Sequence, residues 1–105
     1  MARIAITSTA DADSAEILLR LGRVAGANVA DRYEADFDSL YELLARFPNS
    51  GAPRPALGKD MRIGVVFPYV VLYEYTETDD AVTIMRIVDG RRKITRRLLR
   101  ASPPQ

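Results

Sequence analysis

Residues 61–88 read MRIGVVFPYVVLYEYTETDDAVTIMRIV, and this stretch decides the fold. It contains three runs rich in β-branched and aromatic residues, the composition typical of strands: Met61 to Phe67, Tyr69 to Tyr75 and Ala81 to Val88. Pro68 separates the first two runs, and the polar residues 78–80 separate the last two. Because short turns join antiparallel neighbours, the stretch predicts a three-strand antiparallel meander.

The middle of this stretch is apolar almost without interruption from Val65 to Tyr73. A strand with one wet face alternates between apolar and polar residues, whereas a strand covered on both faces does not. We therefore expect helices to cover one face of the central strand and a partner protein to cover the other.

Upstream of the meander, apolar residues recur at spacings of three and four between Val29 and Phe47. This period predicts an amphipathic helix. Asn28 is its predicted N-terminal cap, and Pro48 is predicted to end it.

A first helix is predicted to begin at a cap provided by Asp11, Asp13 or Ser14 and to end at Gly26. Alternation over residues 4–7 predicts a short strand before it. The predicted order is an α+β fold, β-α-α-β-β-β, in which a helical hairpin packs on an antiparallel sheet.

The end of the chain is basic, since six of the ten residues 91–100 are Arg or Lys. A short basic C-terminal helix or tail is predicted here, and as a helix it can pack Ile94, Leu98 and Leu99 inward with the cations facing outward. Residues 101–105 are predicted to be a disordered tail, so that residues 1–100 form a single domain.

The composition excludes several classes of function. The chain has 105 residues, of which 48% are apolar and 28% charged, as in a globular domain. It contains no cysteine and no histidine, which excludes a disulfide framework and leaves no expected metal site or cofactor. No signal-peptide pattern or membrane-length apolar run is present, so we expect a cytoplasmic protein with no membrane contact.

The charges are segregated along the chain. Residues 1–50 hold eight acids and five bases, whereas residues 51–105 hold six acids and ten bases. The basic end favours an anionic partner, either nucleic acid or an acidic protein face, although a solvated helix end explains the charge equally well.

Three sequence elements resemble one known family. They are Phe47-Pro48-x-x-Gly51 with Arg54, Leu57 and Arg62; Tyr69-Val-Val-Leu-Tyr73; and Val82-x-Ile84-x-Arg86-Ile87 followed by Gly90-Arg91-Arg92. Their order and spacing are similar to those of the ParE/RelE toxins of bacterial type II toxin–antitoxin systems, over residues 29–95. The resemblance implies a toxin that a cognate antitoxin neutralises in a hetero-oligomeric complex.

The two branches of this family imply different targets. A ParE-like toxin would bind DNA gyrase and arrest it on cleaved DNA without chemistry of its own, whereas a RelE-like toxin would be a ribosome-dependent mRNA endonuclease. Leu98 stands where the RelE branch has a tyrosine that serves RNA cleavage, so the ParE-like function is favoured. A relic that binds an antitoxin but is no longer toxic is the third alternative.

The chain also departs from the ParE pattern at the turn that follows the last strand. Asp89 stands where these toxins commonly have histidine, and Lys93 stands where they have an acid or an amide. Charge and hydrogen bonding at this turn are therefore expected to differ from those of the family.

The resemblance and the charge pattern together predict the site residues. The predicted target-binding residues are Arg54, Arg62, Arg86, Asp89, Arg91, Arg92 and Lys93. The predicted antitoxin-binding residues are Val71, Tyr73, Ile84, Arg96 and Arg97. No catalytic residue is expected for a gyrase inhibitor, and Arg62 and Arg92 would be catalytic only in an mRNA endonuclease.

Arg86 has two interpretations. It falls between Ile84 and Val88 on a strand face that is otherwise apolar. One interpretation is a structural ion pair with Asp89, Glu74 or an acid on the second helix, and the other is a guanidinium that faces the target.

Overall fold

Two helices cover one face of a five-stranded sheet in the computed structural model, which describes residues 1–100. The predicted tail at residues 101–105 lies outside the described residues. The elements are β1 (Arg3–Ile6), α1 (Ser8–Ala25), α2 (Ala27–Arg46), β2 (Ala52–Pro53), β3 (Met61–Val66), β4 (Tyr69–Thr76), β5 (Ala81–Asp89) and α3 (Arg97–Arg100). The α+β class and the predicted order of the two helices and three long strands are confirmed.

The sheet has the strand order β1-β5-β4-β3-β2 within the described residues. The meander of β3, β4 and β5 is antiparallel as predicted. The prediction of a wholly antiparallel sheet is wrong, because β1 pairs parallel with β5, from Arg3 opposite Ala81 to Ile6 opposite Ile84. The two-residue strand β2 pairs antiparallel with Arg62 and Ile63 of β3.

Helix α1 begins earlier than predicted. Thr7 is its N-terminal cap, and the Thr7 hydroxyl accepts a hydrogen bond of 3.0 Å from the backbone N–H of Ala10. The predicted caps, Asp11, Asp13 and Ser14, all lie inside the helix. Since Thr7 directly follows β1 and is itself the cap of α1, no loop separates the two elements.

The turn between α1 and α2 consists of Gly26 alone. Its φ of 96° lies in a region that side chains rarely adopt, so glycine is the residue that this corner requires. Helix α2 starts directly after it without a side-chain cap, and Asn28, the predicted cap, is already helical. The predicted helical hairpin and its end before Pro48 are confirmed, although Phe47 is exposed rather than packed inward.

The main core lies between the helices and the sheet. Its fully buried side chains include Phe37 and Leu44 of α2 and Val71, Tyr73 and Ile84 of the sheet. The last three are each 0% exposed because the helices of the same chain cover them. The premise that an antitoxin must cover Val71, Tyr73 and Ile84 is therefore wrong.

A second cluster covers the opposite face of the sheet. Leu72 of β4 is fully buried there, against Leu57, Met61 and the partly buried Ile94 and Leu99. Both faces of the central strand are covered, as predicted, but the second cover is the chain's own C-terminal segment rather than a partner protein.

The C-terminal segment combines a non-helical stretch with one short helix. Helix α3 has four residues, and residues 91–96 before it are not helical. Its apolar residues point inward and its cations outward as expected, with Leu98 buried and Arg96 and Arg97 exposed. The segment thus forms a basic surface on a packed apolar base.

Candidate functional site

A β-bulge in β5 sets the direction of Arg86. Tyr73 of β4 lies opposite Ile84, but the preceding residue, Leu72, lies opposite Arg86, so Met85 is an extra residue in β5. Residues opposite each other in a sheet share a face, and Arg86 therefore lies on the face of Leu72, away from Ile84. The sequence-based assignment of Arg86 and Ile84 to one face is wrong because strict alternation does not survive a bulge.

Arg86 forms a buried ion pair with Asp13 of α1. The guanidinium donates two hydrogen bonds to the carboxylate, Nε to Oδ2 at 2.7 Å and Nη2 to Oδ1 at 3.0 Å. The two side chains are 6% and 8% exposed. The structural ion pair is therefore confirmed, but with an acid of the first helix and with none of the predicted partners.

Asp13 also completes the edge of the sheet. Strand β1 covers β5 only as far as Ile84, and the backbone N–H of Ile87 beyond it donates to Asp13 Oδ2 at 3.0 Å. The Thr7 hydroxyl donates to the carbonyl of Met85 at 3.0 Å. Side chains of the β1–α1 junction and α1 thus replace a neighbouring strand, because buried backbone groups need partners.

The same arginine fastens the C-terminal segment. Arg86 Nη1 donates a hydrogen bond of 2.7 Å to the carbonyl of Leu98 in α3. Leu98 is itself 7% exposed. Burial removes the Arg86 guanidinium from the accessible surface, so its predicted direct contact with the target is replaced by a role in positioning the segment.

Asp89 and Arg91 close the turn after β5. The Asp89 carboxylate accepts three hydrogen bonds from Arg91, from the backbone N–H at 2.9 Å, from Nε at 3.0 Å and from Nη2 at 2.6 Å. These bonds hold the pKa of Asp89 well below its usual range and raise the pKa of Arg91. Asp89 therefore acts here as an acceptor that orients Arg91, a role that requires its ionised form.

The remaining cations of the segment surround an open cleft. Its volume is about 780 Å³, and the loop residues Ala56 and Leu57 form its other side. Its cationic lining residues are Arg92, Lys93, Arg96, Arg97 and Arg100, and none of the described residues that line it is acidic. We call this feature the basic cleft.

Arg54 directly follows β2, and Arg62 lies in β3 opposite Pro53 of that strand. Arg62 Nη1 donates to the carbonyls of Asn49 and Gly51 at 2.9 and 2.7 Å, and so holds the loop after α2. Tyr73 holds the same loop, since its hydroxyl donates to the Pro48 carbonyl at 2.8 Å and accepts from the N–H of Gly51 at 2.9 Å.

The two arginines of the endonuclease alternative are not brought together. Arg62 lines a cleft with Lys59, Asp60 and Tyr75, and Arg92 is not among its lining residues. Arg54 is exposed and donates from Nη1 only to the neighbouring Pro53 carbonyl, at 3.2 Å, among the described residues. The predicted target-binding set thus does not line one cleft, since Arg92 and Lys93 line the basic cleft whereas Arg62 does not.

Sequence reasoning missed two residues of a small polar cleft between α1 and the end of β5. Arg20 Nη2 donates to the Tyr69 hydroxyl at 2.9 Å, and both residues line this cleft of about 180 Å³ together with Asp89 and Arg92. A signal was available: Arg20 follows the buried Ile17 by three residues and Asp13 by seven, so the three share one face of α1.

Three tyrosines, Tyr41, Tyr73 and Tyr75, are not activated for proton transfer. Burial raises the pKa of Tyr73, and the hydrogen bond to Asp80 raises the pKa of Tyr75. Burial, with the nearby Asp38 and Asp11, raises the pKa of Tyr41 to about 12. A general base needs a pKa near the working pH, so these shifts oppose such a role.

No group of three or more potential acidic metal ligands occurs within residues 1–100. Over the same residues, no helix combines the length and the apolar composition needed to cross a membrane.

Comparison with known proteins identifies the family. The family model described as the ParE toxin of the type II toxin–antitoxin system, parDE, matches residues 4–94. The chain belongs to the ParE toxin family. No curated protein sequence matches it.

A solved structure supports the fold of this ParE-family toxin. A chain of the chromosomal ParDE toxin–antitoxin system from P. aeruginosa matches with a TM-score of 0.69 and 22% sequence identity, covering 85% of this chain and 96% of that chain. The match extends over nearly all of the solved chain, so the helical hairpin and the sheet are the fold of a ParE toxin.

Proposed function

We propose that this ParE-family toxin acts in the cytoplasm by binding DNA gyrase and arresting it on cleaved DNA. The observation that carries the proposal is the basic segment after β5, which is exposed, is fastened to the fold, and contains no histidine, cysteine, tyrosine or carboxylate within residues 91–100. Such a surface can bind and hold a partner, whereas cleavage of RNA needs groups that take up and release protons.

The residues that contact the target are proposed to be Arg91, Arg92 and Lys93. All three are exposed at the end of the last strand, and Asp89 orients the first of them. Arg54 and Arg62 do not line the basic cleft, and they enter the target interface only if gyrase extends beyond that cleft.

Neutralisation by a cognate antitoxin belongs to the same proposal. The ParE family is defined by a toxin–antitoxin pair. Arg96 and Arg97 are exposed beside the basic cleft, and an acidic segment of the antitoxin would bind them. Occupation of these cations by the antitoxin would block access to Arg92 and Lys93 in the same cleft.

Induced expression in a bacterial host tests the proposal. The wild-type chain is expected to cause filamentation with a DNA-damage response, and Arg91→Ala/Arg92→Ala is expected to abolish growth arrest. Exposed charge changes usually alter the stability by no more than about 0.5 kcal/mol, so the double variant should fold. Circular dichroism and the amount of soluble protein check this point.

Arg23→Ala/Arg32→Ala is the matched control, because it removes two exposed arginines of the helical hairpin. This control is expected to stay toxic. Full toxicity of folded Arg91→Ala/Arg92→Ala would contradict the assignment of the target surface. Rapid loss of translation without DNA damage would indicate the mRNA endonuclease instead, and normal growth with the wild-type chain would indicate a non-toxic relic.

A further inference from the structure

The basic cleft carries charge that no ion pair within residues 1–100 neutralises. Among residues 1–100 the ion pairs are Asp13 with Arg86 and Asp89 with Arg91. None of the five cations that line the cleft takes part in either pair, and Arg92, Lys93, Arg96 and Arg97 are all exposed. Like charges gathered in this way repel one another and attract an anionic partner that spans several of them.

The segment that carries these cations is held against the sheet by apolar packing and one hydrogen bond. Leu98 is buried, Ile94 and Leu99 pack against the cluster around Leu72, and the Leu98 carbonyl accepts the hydrogen bond from Arg86. Their backbone is therefore held in place before any ligand arrives, which lowers the ordering cost of binding. A free basic tail would not have this property.

The side chains of the cleft suit phosphates rather than bases. Four of its five cations are arginines, whose planar guanidinium matches the oxygens of a phosphate group. Within residues 1–100 no aromatic side chain lines the cleft, so these residues offer no platform on which an unpaired base could stack. Its apolar floor is already covered, since Leu57 and Leu98 are 6% and 7% exposed. What remains open to a ligand is the charged rim.

We propose that the basic cleft binds the phosphodiester backbone of duplex DNA, without regard to sequence. This inference rests on the proposed function, because gyrase holds a DNA duplex. The toxin would contact that DNA as well as the enzyme. Contact with both partners would keep the toxin in place while the DNA is cleaved.

Direct binding without gyrase tests this inference separately from the proposed function. Fluorescence anisotropy of a labelled 20-base-pair duplex is titrated with the toxin between 50 and 200 mM salt. With five phosphate contacts, the affinity is expected to fall about 500-fold over this range. Arg96→Ala/Arg97→Ala should bind more weakly and lose only about 40-fold, because two contacts are gone.

Two control variants separate the effect of the position of the charges in the cleft from the effect of the protein's net charge. Arg23→Ala/Arg32→Ala removes the same charge outside the cleft, and it is expected to keep the wild-type salt dependence. Arg96→Lys/Arg97→Lys keeps both charges in the cleft and is expected to retain most of the slope.

Three results would overturn the inference. The first is an equal salt dependence for Arg96→Ala/Arg97→Ala and the wild-type chain. The second is tighter binding of single-stranded RNA of the same length, which would point to the mRNA-directed function. The third is binding of polyglutamate but not of the duplex, which would assign the cleft to an acidic protein segment. Gyrase arrest without DNA binding would leave the proposed function standing while this inference fails.

Discussion

Arg86→Met should be the most damaging single change on the sheet. The Asp13 carboxylate is only 8% exposed, and of the donors described above it would keep only the Ile87 N–H. The Leu98 carbonyl would lose the hydrogen bond from Arg86. Breaking a buried ion pair from one side costs about 3–5 kcal/mol. Domains of this size are stable by about 5–15 kcal/mol, so the variant should unfold at a much lower urea concentration.

A double-mutant cycle tests the reasoning. Asp13→Asn in the Arg86→Met background removes the buried charge but keeps an oxygen that accepts from the Ile87 N–H, so it should recover about 2 kcal/mol or more. Arg23→Met is the control for an exposed arginine, with an expected change within about 0.5 kcal/mol.

Urea unfolding followed by far-ultraviolet circular dichroism gives each free energy of unfolding. Hydrogen exchange of residues 94–99 should also speed up in Arg86→Met. The account of the ion pair fails if Arg86→Met costs less than about 1 kcal/mol, or if Asp13→Asn destabilises that variant further.

Two other predictions concern tyrosines of the core. The pKa of Tyr41 is raised to about 12. The neutral form of Tyr41 therefore contributes stability that is present below pH 10 and is lost between pH 10 and 12. Tyr41→Phe should remove this part of the alkaline destabilisation, measured as the difference in unfolding free energy from the wild type. A Cβ added at Gly51 would lie 2.5 Å from both the Tyr73 hydroxyl and the Ile63 carbonyl, so Gly51→Ala should cost about 1–3 kcal/mol in the same urea assay, and a neutral result would contradict the close packing.

The fold was largely predictable because burial imposes a period on the sequence. The apolar stripe from Val29 to Leu44 faces the core, and it corresponds to helix α2. The three apolar runs from Met61 onward are buried on one or both faces of the sheet, and they correspond to strands β3–β5. Family resemblance in the same region led to the correct fold. Where burial repeats regularly, local sequence is sufficient.

The site was less predictable because its decisive contacts are long-range. Asp13 and Arg86 are 73 residues apart, and nothing local to Asp13 distinguishes it from an ordinary helix cap. The bulge at Met85 turns Arg86 to the other face without any change in the apolar pattern. The burial of Leu72 by the C-terminal segment likewise depends on the path that the chain takes after β5, which the amino-acid composition does not encode.

The most direct measurement of the central claim is cleavage of supercoiled plasmid by purified gyrase with ATP in the presence of the purified toxin. The account predicts that cleaved plasmid accumulates with the toxin, does not accumulate with Arg91→Ala/Arg92→Ala, and disappears when the cognate antitoxin is added. Ribosome-bound mRNA should remain intact in a parallel reaction. Intact plasmid together with codon-specific cuts in the mRNA would contradict the account, and Leu98→Tyr would then be expected to strengthen those cuts.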